Sequence, residues 1–397
     1  MGTITEPRIY LDHNATSPLR PEARDALDDA LARVYGNPSS LHSEGRAARA
    51  ILDDARDAVA ALVQSLPSEI VFTSGGTEAI SAAVRGVCDR APDALRRIVV
   101  SAVEHSAVLE AADLAARRGF VVVRVPVDAD GRVQVERFET QLGEGVALAA
   151  LQWANSETGV LQPIEEVGRV CRARGVPFLV DAVQAAGKLP LDPKKACADL
   201  LALSSHKIGG PQGVGALVVR SGISLVPLVA GGAQEKRRRG GTENVAGIAA
   251  FGAAARVALH SMTHEARRLL RLRAKIETQL LDSCDGIRFH AQGVSRLPTT
   301  TNFAIAGVPG ETLVIAADLA GIALSTGSAC SSGAVEPSHV LRAMGYDDAH
   351  ARGAVRLSLG WSTTPDEVER FLGRFPGIVA QVRHGLARRP DAIGEPR

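Results

Sequence analysis

Lys207 stands where an apolar run, residues 200–204, gives way to a glycine-rich turn. Burial at such a strand end lowers the proton affinity of a lysine and makes its amine nucleophilic. The chain offers few other amines, because only six of its 45 basic residues are lysines. Three glycines and a proline in residues 207–213 fix the path of this loop, which a surface lysine would not require. The pattern predicts a Schiff-base lysine at position 207.

Two further loops supply what such a lysine needs. Residues 73–78 (TSGGTE) lie between a predicted strand and a predicted helix. Backbone amides and hydroxyl groups in such a loop can bind an anion. The alternative interpretation is that a Ser or Thr side chain simply caps the helix. Asp181 ends an apolar strand, where a buried carboxylate either caps a helix or needs a cation such as a protonated pyridine nitrogen. An anion cradle, a carboxylate and an amine together form the set that binds pyridoxal 5′-phosphate (PLP).

Two other polar positions follow predicted strands. His105 comes just after residues 97–101, and a histidine there can stack on a ring or move protons, although an isolated histidine is more often structural. Asn155 lies in the polar loop 153–159 and is the ligand contact that we predict in that loop.

Cys330 is the candidate thiol nucleophile. All residues within three positions of it are small or polar, which predicts an accessible side chain, and a reactive thiol must be accessible. The other four cysteines lie far apart, without the spacing of a metal site or a disulfide framework. We interpret most of them as small buried apolar residues in a reducing compartment.

Short apolar runs alternate with helical patterns through residues 40–260. Strands are predicted at residues 68–72, 97–101, 120–125, 146–152, 176–181, 200–204 and 215–220, and helices at 78–89, 107–118 and 164–174. This alternation predicts an α/β fold with a mainly parallel sheet covered by helices, whose ligands bind beyond the carboxyl ends of the strands. A long charged helix at 262–281 precedes a smaller α/β segment. We therefore predict a large domain over residues 15–260 and a small domain of residues 261–397 joined by residues 1–14.

The composition, 46% hydrophobic and 22% charged, is that of an ordinary globular protein. A net charge of +1 gives no electrostatic reason for direct binding to nucleic acid or to an anionic membrane. No apolar run approaches the roughly 20 residues that a membrane span needs. Residues 1–8 are too polar for a signal peptide, so we expect a cytoplasmic protein.

The chain resembles the cysteine desulfurases of the NifS/IscS type, which belong to the class V aminotransferase family of fold type I PLP enzymes. The resemblance runs almost end to end, and its most specific segments are SHKIGGPQG (205–213) and GSACSSGAVEPSHVLRAMG (327–345). It implies conversion of L-cysteine to L-alanine, with a persulfide left on Cys330. It also implies a homodimer and a protein sulfur acceptor, such as an iron–sulfur scaffold, in iron–sulfur cluster assembly or tRNA thiolation.

The resemblance also implies roles for individual residues. Lys207 would hold PLP covalently and move the substrate Cα proton, and Asp181 would pair with the ring nitrogen. His105 would stack on the ring and assist proton transfer, while Arg356 and Asn155 would grip the substrate carboxylate. The remaining implied cofactor contacts are the phosphate-binding Gly76, Thr77, Ser204 and His206, the ring-hydroxyl contact Gln184, and Thr242, which would reach the phosphate of the neighbouring subunit.

One segment departs from the family pattern. The family's GGGQE-x-G is GGAQEKR here at residues 231–237, which loses two glycines near the implied subunit interface. Three alternative functions stay open: selenocysteine lyase, an ordinary class V aminotransferase, and a catalytically weak homologue that acts as a scaffold in a sulfur-transfer complex. An ordinary aminotransferase has no need of Cys330, and the retention of Lys207, Asp181 and His105 favours an active enzyme over a scaffold.

Overall fold

The computed structural model of the protein describes residues 7–326 and 336–387. Its strands are β1 (Ile9–Tyr10), β2 (Ile70–Thr73), β3 (Arg97–Ser101), β4 (Val121–Val125), β5 (Val146–Gln152), β6 (Phe178–Asp181), β7 (Leu200–Ser204), β8 (Gly215–Val219), β9 (Ile287–Phe289), β10 (Thr300–Ile305), β11 (Ile322–Ala323) and β12 (Ala354–Ser358). Its α-helices are α1 (Pro21–Arg33), α2 (Ser43–Leu62), α3 (Gly76–Cys88), α4 (Ser106–Ala116), α5 (Val135–Gln141), α6 (Ile164–Ala173), α7 (Val245–Ser283), α8 (Gly310–Leu319), α9 (His339–Ala343), α10 (Asp348–Arg352) and α11 (Pro365–Ala387). Short 3₁₀ turns occur at Pro67–Glu69, Ser205–Lys207 and Gln234–Arg237.

A seven-stranded sheet has the strand order β2-β8-β7-β6-β5-β3-β4. The strands β3 to β7 pair in parallel, and β8 runs antiparallel to both of its neighbours. Strands β5 to β8 are buried along their whole length, because each face of the sheet carries an apolar core beneath helices. The predicted α/β fold with a mainly parallel sheet is confirmed.

The register of this sheet brings the predicted site residues to one edge. Gln152 lies opposite Asp181 at the carboxyl ends of β5 and β6. Ser204 ends the next strand, β7, and pairs with Gly215 of β8. Thr73, the last residue of β2, also pairs with Gly215. The loops that follow β2, β6 and β7 therefore start at the same edge.

A second apolar core lies around the three-stranded sheet β12-β10-β9. The N-terminal strand β1 joins this part of the molecule, since it pairs in parallel with β11. Two residues later, Asp12 forms a β-bridge with Ser358 of β12. Helices α8 and α11 pack against each other here, and α8 also packs on β12.

Helix α7 differs most from the prediction, because Val245–Ser283 forms one unbroken helix of 39 residues instead of beginning at Met262. Its first half contributes to the core of the seven-stranded sheet and its second half to the core around β10. The predicted boundary between domains falls inside it. Within the described part of the chain, α7 alone is long and apolar enough to cross a membrane, and half of its most apolar window is buried, as in a core helix.

The segment that departs from the family pattern contains an unusual turn. Glu235, Lys236 and Arg237 have φ values of 44°, 57° and 63°, which is the left-handed region. Residues with a side chain are strained there by about 1 kcal/mol each. Ala233 has φ −81°, so only the second of the two replaced glycines falls at a left-handed position. The turn is held by a buried ion pair in which Nη1 of Arg56 lies 2.9 Å from Oε2 of Glu235.

Candidate active site

A cavity of about 290 Å³ opens at the carboxyl edge of the seven-stranded sheet. Most of the predicted cofactor contacts line it, although they come from separate segments of the sequence. These residues are Gly76, Thr77, His105, Asp181, Gln184, Ser204, His206 and Lys207. The parallel strands bring them together because their carboxyl ends meet at one edge.

Helix α3 begins at this cavity without a side-chain cap. Its first backbone hydrogen bond runs from the amide of Ala79 to the carbonyl of Gly75 at 3.1 Å, so the amides of residues 76–78 precede the helical ladder. A Cβ atom at Gly76 would lie 2.7 Å from Cγ2 of Val183, so a glycine is needed here. The alternative of a Ser/Thr helix cap is therefore wrong, and the helix terminus offers free N–H groups to an anion.

The amine of Lys207 reaches the cavity from the turn that follows β7. Its Nζ lies 2.6 Å from the main-chain oxygen of Asn14 and 2.8 Å from that of Ala15. Gly209 shapes this turn with φ +85°, and a Cβ atom there would lie 2.6 Å from Cγ of Arg20. The glycine-rich loop thus gives the lysine a defined place beside the N-terminal segment.

Asp181 ends β6 and is only 7% exposed. Its Oδ1 accepts a hydrogen bond from the amide of Val183 at 2.9 Å. Burial raises the pKa of Asp181, while the nearby His105 and Lys207 oppose that rise. A cation in the cavity would stabilise the ionised carboxylate further.

The surroundings favour the neutral form of both histidines in the cavity. Burial lowers the pKa of His105, although Asp181 opposes the shift. Nδ1 of His105 accepts a hydrogen bond from the amide of Ala107 at 3.1 Å, so the neutral ring carries its proton on Nε2. Burial lowers the pKa of His206 to about 4, and its Nδ1 lies 3.0 Å from Oγ1 of Thr16.

Asn14 connects the lysine to the rest of the site. Its main-chain oxygen accepts hydrogen bonds from Nζ of Lys207 at 2.6 Å and from Nε2 of Gln184 at 3.0 Å. Its Oδ1 accepts from Nζ of Lys188 at 3.0 Å, and Lys188 also donates to Oε1 of Gln184 at 2.9 Å. Burial lowers the pKa of Lys188 to about 7, and the positive charges of Lys207 and Arg356 contribute.

Asn155 is buried beside the cavity, and among the described residues it does not line it. Its Oδ1 accepts hydrogen bonds from the amides of Glu157 and Thr158, both at 2.9 Å. Its Nδ2 donates to the carbonyl of Val103 at 3.1 Å. The side chain therefore shapes its own loop, whose next residue, Ser156, does line the cavity. Its contact with cofactor or substrate stays a prediction.

Arg356 of β12 also lies outside the lining of the cavity in the described part of the chain. Its Nη2 forms a partly buried ion pair with Oδ1 of Asp12 at 2.7 Å. Its Nη1 donates to the carbonyl of Ser156 at 3.2 Å. Its Nε is buried and has no hydrogen-bond partner among the described residues. That unpaired donor is available to a carboxylate.

Thr242 is exposed and does not line the described cavity of its own chain. Three residues earlier, Nε of Arg239 donates to Oε1 of Glu78 at 2.9 Å. Glu78 is part of the cavity wall at the start of α3. The segment that carries Thr242 is thus anchored beside the anion loop, and its contact with a neighbouring subunit stays a prediction.

All cysteines in the described part of the chain are buried; they are Cys88, Cys171, Cys197 and Cys284. Burial raises the pKa of Cys88 to about 11 and that of Cys171 to about 12, so both thiols stay protonated at neutral pH. Burial also raises the pKa of Cys284. Cys330, the predicted nucleophile, lies outside the described residues.

Sequence reasoning gave no role to Asn14, Lys188 or Glu104. Glu104 is fully buried, and its Oε1 accepts a hydrogen bond from the amide of Gln152 at 2.9 Å. Burial raises the pKa of this carboxyl group well above the usual range, and the nearby Asp181 adds to the rise. Some signals were present: Asn14 lies just after the first apolar strand, Glu104 precedes His105, and Lys188 is one of only six lysines.

The groups around the cavity fit PLP. The uncapped N-terminus of α3, with Gly76 and Thr77, suits the phosphate. The buried carboxylate of Asp181 suits a protonated ring nitrogen, and Nε2 of Gln184 suits the ring hydroxyl. The amine of Lys207 is the nucleophile to which an aldehyde can be attached.

Comparison with known proteins agrees with this assignment. The profile of the family described as "Aminotransferase class-V" matches residues 9–371. A cysteine desulfurase of Cereibacter sphaeroides is 46% identical over 378 residues, which cover 95% of this chain and 97% of that protein. The cysteine desulfurase NifS of Azotobacter vinelandii is 42% identical, covering 95% and 94% of the two chains.

A solved structure described as a NifS-like protein has a similar fold. It superposes with a TM-score of 0.88 at 34% sequence identity, covering 94% of this chain and all of that one (100%). The similarity in sequence and in fold thus extends over both apolar cores described above. The chain therefore belongs to the class V aminotransferase family and, within it, to the cysteine desulfurases of the NifS/IscS type.

Proposed function

We propose that this protein is a PLP-dependent cysteine desulfurase, which converts L-cysteine to L-alanine and receives the sulfur on Cys330. One observation carries the proposal: a single cavity joins an uncapped helix N-terminus, the buried Asp181 and the amine of Lys207. The relationship to proteins named cysteine desulfurase supports the choice of substrate.

Bound PLP supplies an electron sink for negative charge that develops at the substrate Cα. Asp181 would keep the ring nitrogen protonated, and the N-terminus of α3 would hold the phosphate. Lys207 would attach the cofactor and would provide the amine that moves the Cα proton. His105, with its proton on Nε2, can donate a hydrogen bond into the cavity. Nε of Arg356 is a buried donor for the substrate carboxylate.

The sulfur step balances without an external oxidant. The thiolate of Cys330 attacks the substrate sulfur, and an S–S bond forms as the C–S bond of the substrate breaks. The electron pair of that C–S bond stays with carbon, which takes up a proton and becomes the methyl group of alanine. Oxidation of sulfur to the persulfide level is thus matched by reduction of the carbon.

The described residues on either side of positions 327–335 support a role for Cys330. On one side, Ser325 and Arg356 exchange two backbone hydrogen bonds, at 3.2 and 2.7 Å. On the other side, Nε2 of His339 donates to the carbonyl of Glu104 at 2.9 Å. Glu104 directly precedes His105. The residues before and after positions 327–335 are therefore hydrogen-bonded to Arg356 and Glu104, at or next to residues of the proposed site.

We also propose that the enzyme is a homodimer in which Thr242 reaches the partner's phosphate site. Thr242 is exposed on a segment anchored at Glu78, and the single chain leaves Tyr35 at 87% and Leu41 at 90% exposure. Contiguous exposed apolar surface marks protein interfaces, and we propose that the partner subunit covers these side chains. Light scattering of the purified protein measures the mass directly, and a monomer at micromolar concentration would refute the dimer.

A persulfide is useful only if it is passed on, so we propose a protein acceptor such as an iron–sulfur scaffold. Cluster assembly or tRNA thiolation would be the destination of the sulfur. We propose a cytoplasmic location, since the four described cysteines are free and buried, as is usual in a reducing compartment.

Mass spectrometry of the enzyme after incubation with L-cysteine tests the central proposal. The cofactor, fixed by borohydride reduction, should map to Lys207, and one additional sulfur should map to Cys330. Lys207→Ala should lose the covalent cofactor, whereas the exposed Lys194→Met should retain it. A colourless wild type would refute the PLP assignment, and cofactor found on another lysine would refute Lys207 as its attachment site. Faster turnover of L-selenocysteine than of L-cysteine would instead identify a selenocysteine lyase.

A further inference from the structure

We propose that Lys188 is a positioning residue, which fixes the amide of Gln184 and the side chain of Asn14 around the cofactor-bearing lysine. The inference rests on the proposed function, because it assigns to Lys188 a role in holding PLP. Lys188 acts through its neighbours: among the described residues it lines a small cavity of about 30 Å³ and not the larger one, whereas Lys207 lines both.

The geometry around Gln184 gives Lys188 its first task. The two ends of a glutamine amide are alike in size, so its hydrogen-bond partners decide which end faces which way. Nζ of Lys188 lies 2.9 Å from Oε1 of Gln184, and Nε2 of Gln184 donates to the main-chain oxygen of Asn14 at 3.0 Å. Lys188 therefore binds Oε1 of Gln184 and leaves Nε2 of Gln184 to face the main-chain oxygen of Asn14, which also accepts a hydrogen bond from Lys207.

The second task concerns Asn14. Nζ of Lys188 lies 3.0 Å from Oδ1 of Asn14, whose main-chain oxygen also accepts a hydrogen bond from Lys207. Nδ2 of Asn14 donates to the carbonyl of Ser156, a residue of the cavity wall, at 3.0 Å. Lys188 thus supports the residue that both Gln184 and Lys207 contact.

A purely structural role explains this lysine poorly. In the described part of the chain Lys188 forms no ion pair with a carboxylate, and its two acceptors are amide oxygens. A buried amine without a carboxylate is costly, and an apolar side chain usually serves stability better. Its pKa is lowered to about 7 by burial, yet two N–H groups suffice for its two acceptors whether the amine is charged or neutral.

A double-mutant cycle in the full-length protein tests the inference. PLP affinity would be measured by absorbance titration in wild type, Lys188→Met, Gln184→Leu and the double variant. Loss of the Lys188 hydrogen bonds should weaken PLP binding about tenfold in the wild-type background. In the Gln184→Leu background the same substitution should weaken binding only about threefold, because the route through Gln184 is gone and only the contact with Asn14 is left to lose. Lys194→Met, at an exposed lysine, is the matched control and should bind PLP as wild type does.

The outcomes separate this inference from the proposed function. Equal loss of affinity in both backgrounds, or no loss in the wild-type background, would overturn the role of Lys188 while leaving the desulfurase intact. A wild type that binds no PLP would overturn the proposed function itself. If Lys188→Met does not fold, Lys188→Gln replaces it in the same cycle, and the same criterion of non-additivity applies.

Discussion

Arg356 and Asp12 form a partly buried ion pair that joins β12 to the N-terminal segment, with Nη2 lying 2.7 Å from Oδ1. The arginine has a second contact, from Nη1 to the carbonyl of Ser156 in the wall of the cavity. Both Nη atoms of the guanidinium thus have partners, whereas Nε has none among the described residues. The substrate-binding role and the structural role of Arg356 can be separated by experiment.

Arg356→Ala should weaken cysteine binding and also lower the free energy of unfolding by about 2 kcal/mol, because the partly buried Asp12 is left without its partner. Asp12→Asn in the same chain removes that unpaired charge. The double variant should therefore regain much of the stability in urea unfolding but none of the affinity for cysteine. Recovery of both would show that Arg356 is structural and does not bind substrate.

Cys330→Ser should retain the visible absorbance of bound PLP and lose sulfide release from cysteine in the presence of a reductant. The reason is that a hydroxyl group cannot take up sulfur as a persulfide. Cys284→Ala, at a buried cysteine, is the control and should release sulfide as wild type does. Normal sulfide release by Cys330→Ser would contradict the assignment of the nucleophile.

Arg237→Gly should stabilise the protein by about 1 kcal/mol, since φ of 63° is strained for a side chain and free for glycine. Arg237→Ala is the matched control, because it removes the same side chain without relieving the backbone. Chemical unfolding of the two variants measures the difference. Equal stabilities would show that the left-handed turn is not strained at this position.

Stability should fall as the pH is lowered from about 6.5 toward about 4. Burial lowers the pKa of His290 to about 4 and that of His13 to about 3, below the value of about 6.5 in an unfolded chain. The unfolded state therefore binds more protons in this window, and each histidine contributes up to about 1.4 kcal/mol per pH unit. Urea unfolding of the cofactor-free protein across the window measures the slope.

His290→Gln provides the check on that slope. Nδ1 of His290 lies 2.6 Å from Oδ1 of Asn302, a contact that a glutamine amide can replace without titrating. The variant should show a shallower pH dependence than wild type. An unchanged slope would mean that other groups cause the loss of stability in acid.

The residues at strand ends were predictable from sequence alone. Asp181, Ser204 and Lys207 follow short apolar runs, and parallel strands must place their carboxyl ends along one edge. The strand register confirms this arrangement, with Asp181 directly opposite Gln152. The anion loop was also predictable in position, but only the structure shows that no side chain caps α3.

The contacts of Asn14 and Lys188 were not predictable in the same way. Gln184 and Asn14 are 170 positions apart, and their contact depends on how two loops meet rather than on any periodic pattern. The start of α7 was missed for another reason. The composition of this helix changes from alanine-rich to arginine-rich near Met262, while the backbone continues unbroken from Val245.

The N-terminal strand and the residues after it have a mechanical consequence. Asn14 donates from its amide to Oγ of Ser358 at 2.9 Å and from Nδ2 to Oγ1 of Thr300 at 2.9 Å, and both partners belong to the three-stranded sheet. The carbonyl of the same residue receives the amine of Lys207. A movement of that sheet would therefore be transmitted to the amine of Lys207 through the hydrogen bonds of a single residue, Asn14. Tags or truncations at the amino end should be designed to leave these hydrogen bonds intact.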